Sequence, residues 1–197
     1  MDSNFRKVKL FNETFGVNTP SRPWTDVVKE NPNLVKLRLA LIEEEFLELK
    51  EAVKDNNFIE IVDALTDLLY VVYGAGAAFG VDLDKAFTIV HESNMSKLCN
   101  NESLAQKTVE HYNQTDEYDT PEYKLSDCGN YWIVYNKSSG KILKSIRYKR
   151  VNFFLEDLKI RQKEESNFPS SRDSEEEAWK NYYEKMKECK SVTKYQL

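Results

Sequence analysis

The sequence predicts a mainly α-helical protein: a helical bundle with a small β-hairpin toward its C-terminal end and a charged helical extension beyond that. Three observations predict it. Only six Gly and five Pro are spread over 197 residues, too few for a many-stranded β protein, which turns every ~8–12 residues. Apolar residues recur at helical spacing through roughly the first 115 positions. Aromatic residues make up 12% of the chain, supplying burial that disordered chains lack.

The elements follow in order. Phe5–Phe15 forms a short first helix, and Pro20 and Pro23 mark a loop that also holds Arg22 and Trp24. Asn31-Pro32 suits a helix start, and the pattern then runs to about Lys54. Asp55-Asn56-Asn57 breaks it. A third helix runs from Phe58 to Phe79 with Gly80 as its stop, and Asp82 caps a fourth reaching Leu98. Glu102–Tyr112 adds a short fifth. Next, Tyr131–Tyr135 and Ile142–Ile146 are rich in β-branched and aromatic residues, and Asn136–Gly140 between them is a hairpin-length loop. Another helix is expected beyond Val151, and Glu175–Lys190 reads as a charged one. The organisation is a body over 1–157, with its hairpin at 130–148, and an extension over 158–197.

Composition excludes several classes. Met1–Arg6 has no apolar stretch, so an intracellular protein is expected. The longest uncharged run, Leu68–Val81, falls short of the ~20 residues a bilayer needs, which leaves no membrane role. Cys99, Cys128 and Cys189 are scattered, and His91 and His111 are the chain's only histidines. Neither a disulfide framework nor a zinc site is indicated. A net charge of −5 argues against nucleic acid as partner.

The chemistry lies where apolar helical stripes are interrupted by polar groups. Leu34, Leu37 and Leu41 share a face that continues into Glu45 and Glu48, with Glu44 one step round. In the next helix Glu60, Asp63 and Asp67 line one side, Asp67 within a segment apolar nearly all round. From Leu41 to Asp67 nine acids stand against Lys50 and Lys54, a local net of −7. Carboxylates on core-side positions persist when protonated, paired or holding a cation. Oxygen donors without His or Cys suit Mg²⁺ or Mn²⁺, and no Glu-x-x-His of a di-iron bundle is present. Glu43, Glu51 and Asp55 read as a solvated face. In the fourth helix Leu83, Phe87 and Val90 lead by the same spacing to Asn94 and Lys97. Residues 137–150 carry six cations and no acid, so Lys141 and Lys144 are candidates for phosphate contact; the competing reading is an edge strand defended by lysines.

These residues carry a resemblance. Glu44-Glu45-Phe46-Leu47-Glu48 fits the E-E-x-x-E motif of the all-α NTP pyrophosphohydrolases, the superfamily of MazG, dimeric dUTPases and phosphoribosyl-ATP pyrophosphohydrolases, and Glu60-Ile61-Val62-Asp63 fits its E-x-x-D. Asp67–Ala75, Val90–Lys97 and Gly140–Lys144 resemble the MazG-like branch that includes dUTP-cleaving members, and the likeness spans about residues 5–155. One departure is that the family's Glu three residues before Asp67 falls on Ala64, so Asp63 or Glu60 completes the metal set. The resemblance implies a MazG-like fold that hydrolyses a nucleoside triphosphate to monophosphate and pyrophosphate. It implies Mg²⁺ on Glu45, Glu48, Asp67 and Asp63, Glu44 beside the attacking water, and Asn94, Lys97 and Lys141 or Lys144 on phosphate. It also implies a base stacked near Trp24, Tyr70 or Tyr73, and a homodimer or homotetramer. Phosphoribosyl-ATP as substrate, or a helical interaction module that has lost catalysis, are the alternatives.

Overall fold

The computed structural model describes residues 3–115 and 117–160. Six helices come first: α1 (Asn4–Thr14), α2 (Val27–Glu30), α3 (Pro32–Lys54), α4 (Phe58–Ala78), α5 (Leu83–Met95) and α6 (Glu102–Thr115). Two strands follow, β1 (Pro121–Leu125) and β2 (Trp132–Asn136).

Capping side chains set most of the helix starts. Ser3 Oγ accepts from Arg6 N, Asn31 Oδ1 from Leu34 N, Asn57 Oδ1 from Glu60 N and Asp82 Oδ1 from Lys85 N, each satisfying an amide that a helix start leaves unpaired. Asp55–Asn57 turns α3 back on α4, with Asn56 in the left-handed region at φ +52°. The two long helices therefore form an antiparallel hairpin, closed where small Ala52 and Ala64 are buried. At the other end of α4, Gly80 takes φ +72°, and a Cβ there would stand 2.0 Å from Arg22 O. α5 leaves that corner with a bend of 109° from α4. No single helix among the described residues is long and apolar enough to cross a membrane.

Two cores form. Phe5, Ala77 and Ile160 are buried together with Tyr73 and Leu83 packed on them, which ties α1 to the α4–α5 corner. Cys99, Leu104, Ala105, Tyr112, Val134 and Leu143 make the second, between α6 and the strands.

The hairpin differs from the sequence expectation. β2 pairs antiparallel with the preceding segment, Tyr123 opposite Val134, around a turn in which Gly129 takes φ +74°. The turn at Asn136–Lys141 does form, since Gly140 N donates to Asn136 O, but 142–146 adds only an isolated bridge, Tyr135 to Ile142. The reason is that this segment is drawn elsewhere. Leu143 is buried in the core, and Ser145 N donates to Lys97 O at the end of α5. α5 ends at Met95 rather than Leu98, and α2 is an element that the sequence reading lacks. No helix forms over 151–160, where Asp82 N and Ser21 O instead bind the backbone at Leu158 and Ile160. The helix expected at Glu175–Lys190, with the extension after Ile160, lies outside the described residues.

Candidate active site

The α3–α4 hairpin sets α3 acids against α4 acids. Glu44, Glu45 and Glu48 come from α3, and Glu60, Asp63 and Asp67 from α4. Glu45 is half-buried among them, and its carboxyl is pushed above the usual glutamate range, first by burial and then by the negative charge of Glu48, Asp67, Glu44 and Asp63. That effect places five carboxylates in one mutual field. Beside them is an open cavity of ≈ 180 Å³ lined by Glu48, Glu51, Asp55, Glu60 and Asp63 over the floor of Ala52 and Ala64. Asp63 therefore belongs both to the field around Glu45 and to the cavity, while Glu60 faces the cavity alone. Ala64 is buried against α3 as a packing residue. Two acids that read as solvated, Glu51 and Asp55, also line this cavity.

The donors are all hard oxygens, the set that suits Mg²⁺ or Mn²⁺. Among the described residues no three of them converge tightly enough to grip one ion, as expected of like charges that repel one another.

The other sequence candidates lie apart from this cluster. Asn94 Oδ1 accepts from Lys97 Nζ at 2.8 Å in the last turn of α5. Asp67 and Asn94 each stand about three turns from the α4–α5 corner, so with a bend of 109° they are on the order of 20 Å apart. Lys144 and its neighbours reach that end of α5: Ser145 N donates to Lys97 O, and Lys149 N to Ser96 Oγ. Lys144 Nζ lies 4.8 Å over the Tyr148 ring. Lys141 Nζ donates to Tyr118 Oη at 2.9 Å and sits over its ring. Of the three aromatic candidates, Tyr70 stands edge-on to Phe11 at 5.5 Å. Tyr73 packs on Phe5, and Trp24 Nε1 donates to Glu30.

A sequence profile of the phosphoribosyl-ATP pyrophosphohydrolase family matches residues 8–94, the stretch that holds the whole acidic cluster. The chain belongs to the MazG-like, all-α NTP pyrophosphohydrolase superfamily. The phosphoribosyl-ATP pyrophosphohydrolase family lies within the MazG-like, all-α NTP pyrophosphohydrolase superfamily, so membership supports a pyrophosphohydrolase acting on nucleotide-like substrates. An uncharacterized protein of Acanthamoeba polyphaga mimivirus, L479, is 31% identical, with the match covering 77% of this chain and 94% of that protein.

Sequence reasoning missed one polar group. Arg38, on α3, is buried beside Asn12 of α1 and Gly74 of α4. The available signal was its place on the Leu34–Leu37–Leu41 stripe, which it interrupts as the acids do further along.

Proposed function

We propose that the protein hydrolyses (deoxy)nucleoside triphosphates to monophosphate and pyrophosphate, clearing unwanted nucleotides from the intracellular pool. The observation that carries this is the half-buried Glu45 set among four further acids on a family-matched helix pair. Glu45, Glu48, Asp63 and Asp67 hold Mg²⁺ or Mn²⁺, with Glu60 next to them on the cavity wall. A cation held there would supply charge neutralisation for the phosphates and a more acidic water. Exposed Glu44 stands at the edge of the cluster, where it can orient that water and take its proton.

Asn94 and Lys97 bind phosphate, aided by Lys144 or Lys141. Their separation from Asp67 within one chain favours a homodimer in which a second copy brings them to the carboxylates. Two exposed apolar stripes support such pairing: Leu39, Phe46 and Val53 on α3, and Phe58, Val62, Leu65, Leu69 and Val72 on α4.

Pyrophosphate release from a panel of dNTPs and NTPs, with Mg²⁺, Mn²⁺ or EDTA, tests the reading. Release should require metal and fall about 100-fold or more in Glu48→Gln and Asp67→Asn, both keeping wild-type circular dichroism. Metal-independent turnover, or full activity in these variants, sinks it. The profile match favours a second reading, phosphoribosyl-ATP as substrate, and including that compound in the panel separates the two.

A further inference from the structure

We propose that Tyr148 is a positioning residue: it holds the Lys144 ammonium at the end of α5, where Lys144 and Lys97 form one surface for the phosphate chain of the substrate. The proposal rests on the nucleotide-hydrolysis reading above.

The strap that follows β2 is fastened to the last turn of α5. Ser145 N donates to Lys97 O at 3.2 Å, Lys149 N donates to Ser96 Oγ at 2.9 Å, and Ser93 Oγ donates to Lys149 O at 2.8 Å. Ser93 and Ser145 are both buried. From α6, Tyr112 donates its hydroxyl to Lys144 O at 3.0 Å. Lys144 therefore starts from a fixed backbone beside that of Lys97. Its side chain alone would still be free to rotate, and binding an anion would cost that freedom. Tyr148 removes it in advance. Lys144 Nζ lies 4.8 Å over the Tyr148 ring, whose face attracts a cation. The ring is itself held: Tyr148 N donates to Ser145 O at 2.8 Å, closing a turn, and its hydroxyl stands 3.2 Å from Ser93 Oγ.

Two cations are thus brought to one helix end without an anion. Lys97 Nζ donates to Asn94 Oδ1 at 2.8 Å and Lys144 Nζ rests on a neutral ring, so among the described residues no acid pairs with either. Neither ammonium takes a helix-end carbonyl, where the helix dipole alone would draw it. Like charges repel, so a fold that fixes two of them on adjoining backbone favours an anion that both can reach. Each ammonium has three donors and uses at most one of them here, which leaves the others for phosphate oxygens. Lys141 differs. Its ammonium donates to Tyr118 Oη, which ties it to the connection between α6 and β1 rather than to α5. Of the two hairpin lysines, the geometry therefore assigns Lys144 to the phosphate chain.

Equilibrium binding of inorganic tripolyphosphate in metal-free buffer tests this without turnover. The probe carries no base, and without metal the acidic cluster repels it. The full chain should bind it, with Lys144→Gln about tenfold weaker and Tyr148→Leu about fivefold weaker. Tyr148→Phe, which keeps the ring, should lose about twofold at most. Tyr148→Met also removes the ring while keeping apolar bulk, so one folded variant of the two is enough. The decisive comparison is the double variant: once Lys144→Gln is in place, Tyr148→Leu should cost nothing more, because the ring acts only through that lysine. Tyr148→Leu should also raise KM for the best triphosphate of the panel about as much as it weakens tripolyphosphate. Additive losses in the double variant would make Tyr148 a structural group and overturn the proposal. So would equal losses in Tyr148→Phe and Tyr148→Leu, or no tripolyphosphate bound by the wild type at millimolar concentration. The hydrolysis reading stands or falls separately, on wild-type turnover of the triphosphate panel.

Discussion

Glu45 holds its proton more tightly than a solvent-exposed glutamate because burial and four neighbouring acids both disfavour its charge. The consequence for pH has a definite sign. Between the ordinary glutamate value and the raised one, the folded, metal-free chain binds more protons than the unfolded chain, so stability falls as pH rises through that window. A divalent cation held by Glu45, as proposed, would have to displace the same proton, so its affinity should decline as the solution is acidified into that window. Titrating Mn²⁺ at a series of pH values should show the loss beginning above the ordinary glutamate range, and Glu45→Gln should bind more weakly and lose that early phase. Equal slopes in the two proteins would remove Glu45 from the ion's shell. The acids were legible in the sequence because carboxylates on an apolar stripe stand out without knowledge of any neighbour. Arg38 breaks the same stripe, but a lone arginine there also reads as a side chain whose stem packs while its head reaches water. Only the approach of Asn12 and Gly74, on two other helices, distinguishes the cases.

At the scale of elements, the α3–α4 hairpin and the α4–α5 corner position the site, and their boundaries were legible because Asn31, Asn57 and Asp82 are local signals. Strand pairing was not. Ile142–Ile146 has the composition of a strand, and which segment lies beside β2 depends on burial of Leu143 and on the Ser145 bond to the end of α5, both long-range choices. The α4–α5 corner supplies a sharp test through two neighbouring glycines. Gly76→Ala drives a methyl into the branch of Leu83, whose Cγ and Cδ1 would lie 2.4 and 2.5 Å away, and should destabilise by about 1–3 kcal/mol. Gly74→Ala meets only ordinary contacts and should stabilise by roughly 0.5–1 kcal/mol through helix propensity. Urea denaturation of both variants measures the pair, and equal destabilisation would mean that Arg38 and Asn12 yield to a methyl at Gly74 no better than Leu83 does at Gly76.

At the scale of the whole molecule, the acids and the cations of the proposed site lie apart, on the order of 20 Å from Asp67 to Asn94. The acids sit midway along the α3–α4 pair, whereas Lys97, Lys144 and Lys149 gather at the far end of α5, stitched together by the Ser145 and Lys149 amides. In the proposed dimer, a triphosphate held by the acids would meet these cations where α5 of a second copy crosses the exposed stripe of α4. A two-fold dimer would make each site from both chains. Subunit complementation tests this directly. Glu48→Gln and Lys97→Ala should each be nearly inactive alone. Mixed, unfolded and refolded together, they should recover about a quarter of wild-type turnover, because half of the random dimers are mixed and each carries one intact site. Leu69→Lys, which sets a charge in the middle of the α4 stripe, should shift sedimentation toward the monomer and abolish the recovery. No recovery from a mixture shown to contain mixed dimers would place the phosphate-binding groups on the same chain as the acids, and α5 would then have to swing toward α4 on binding.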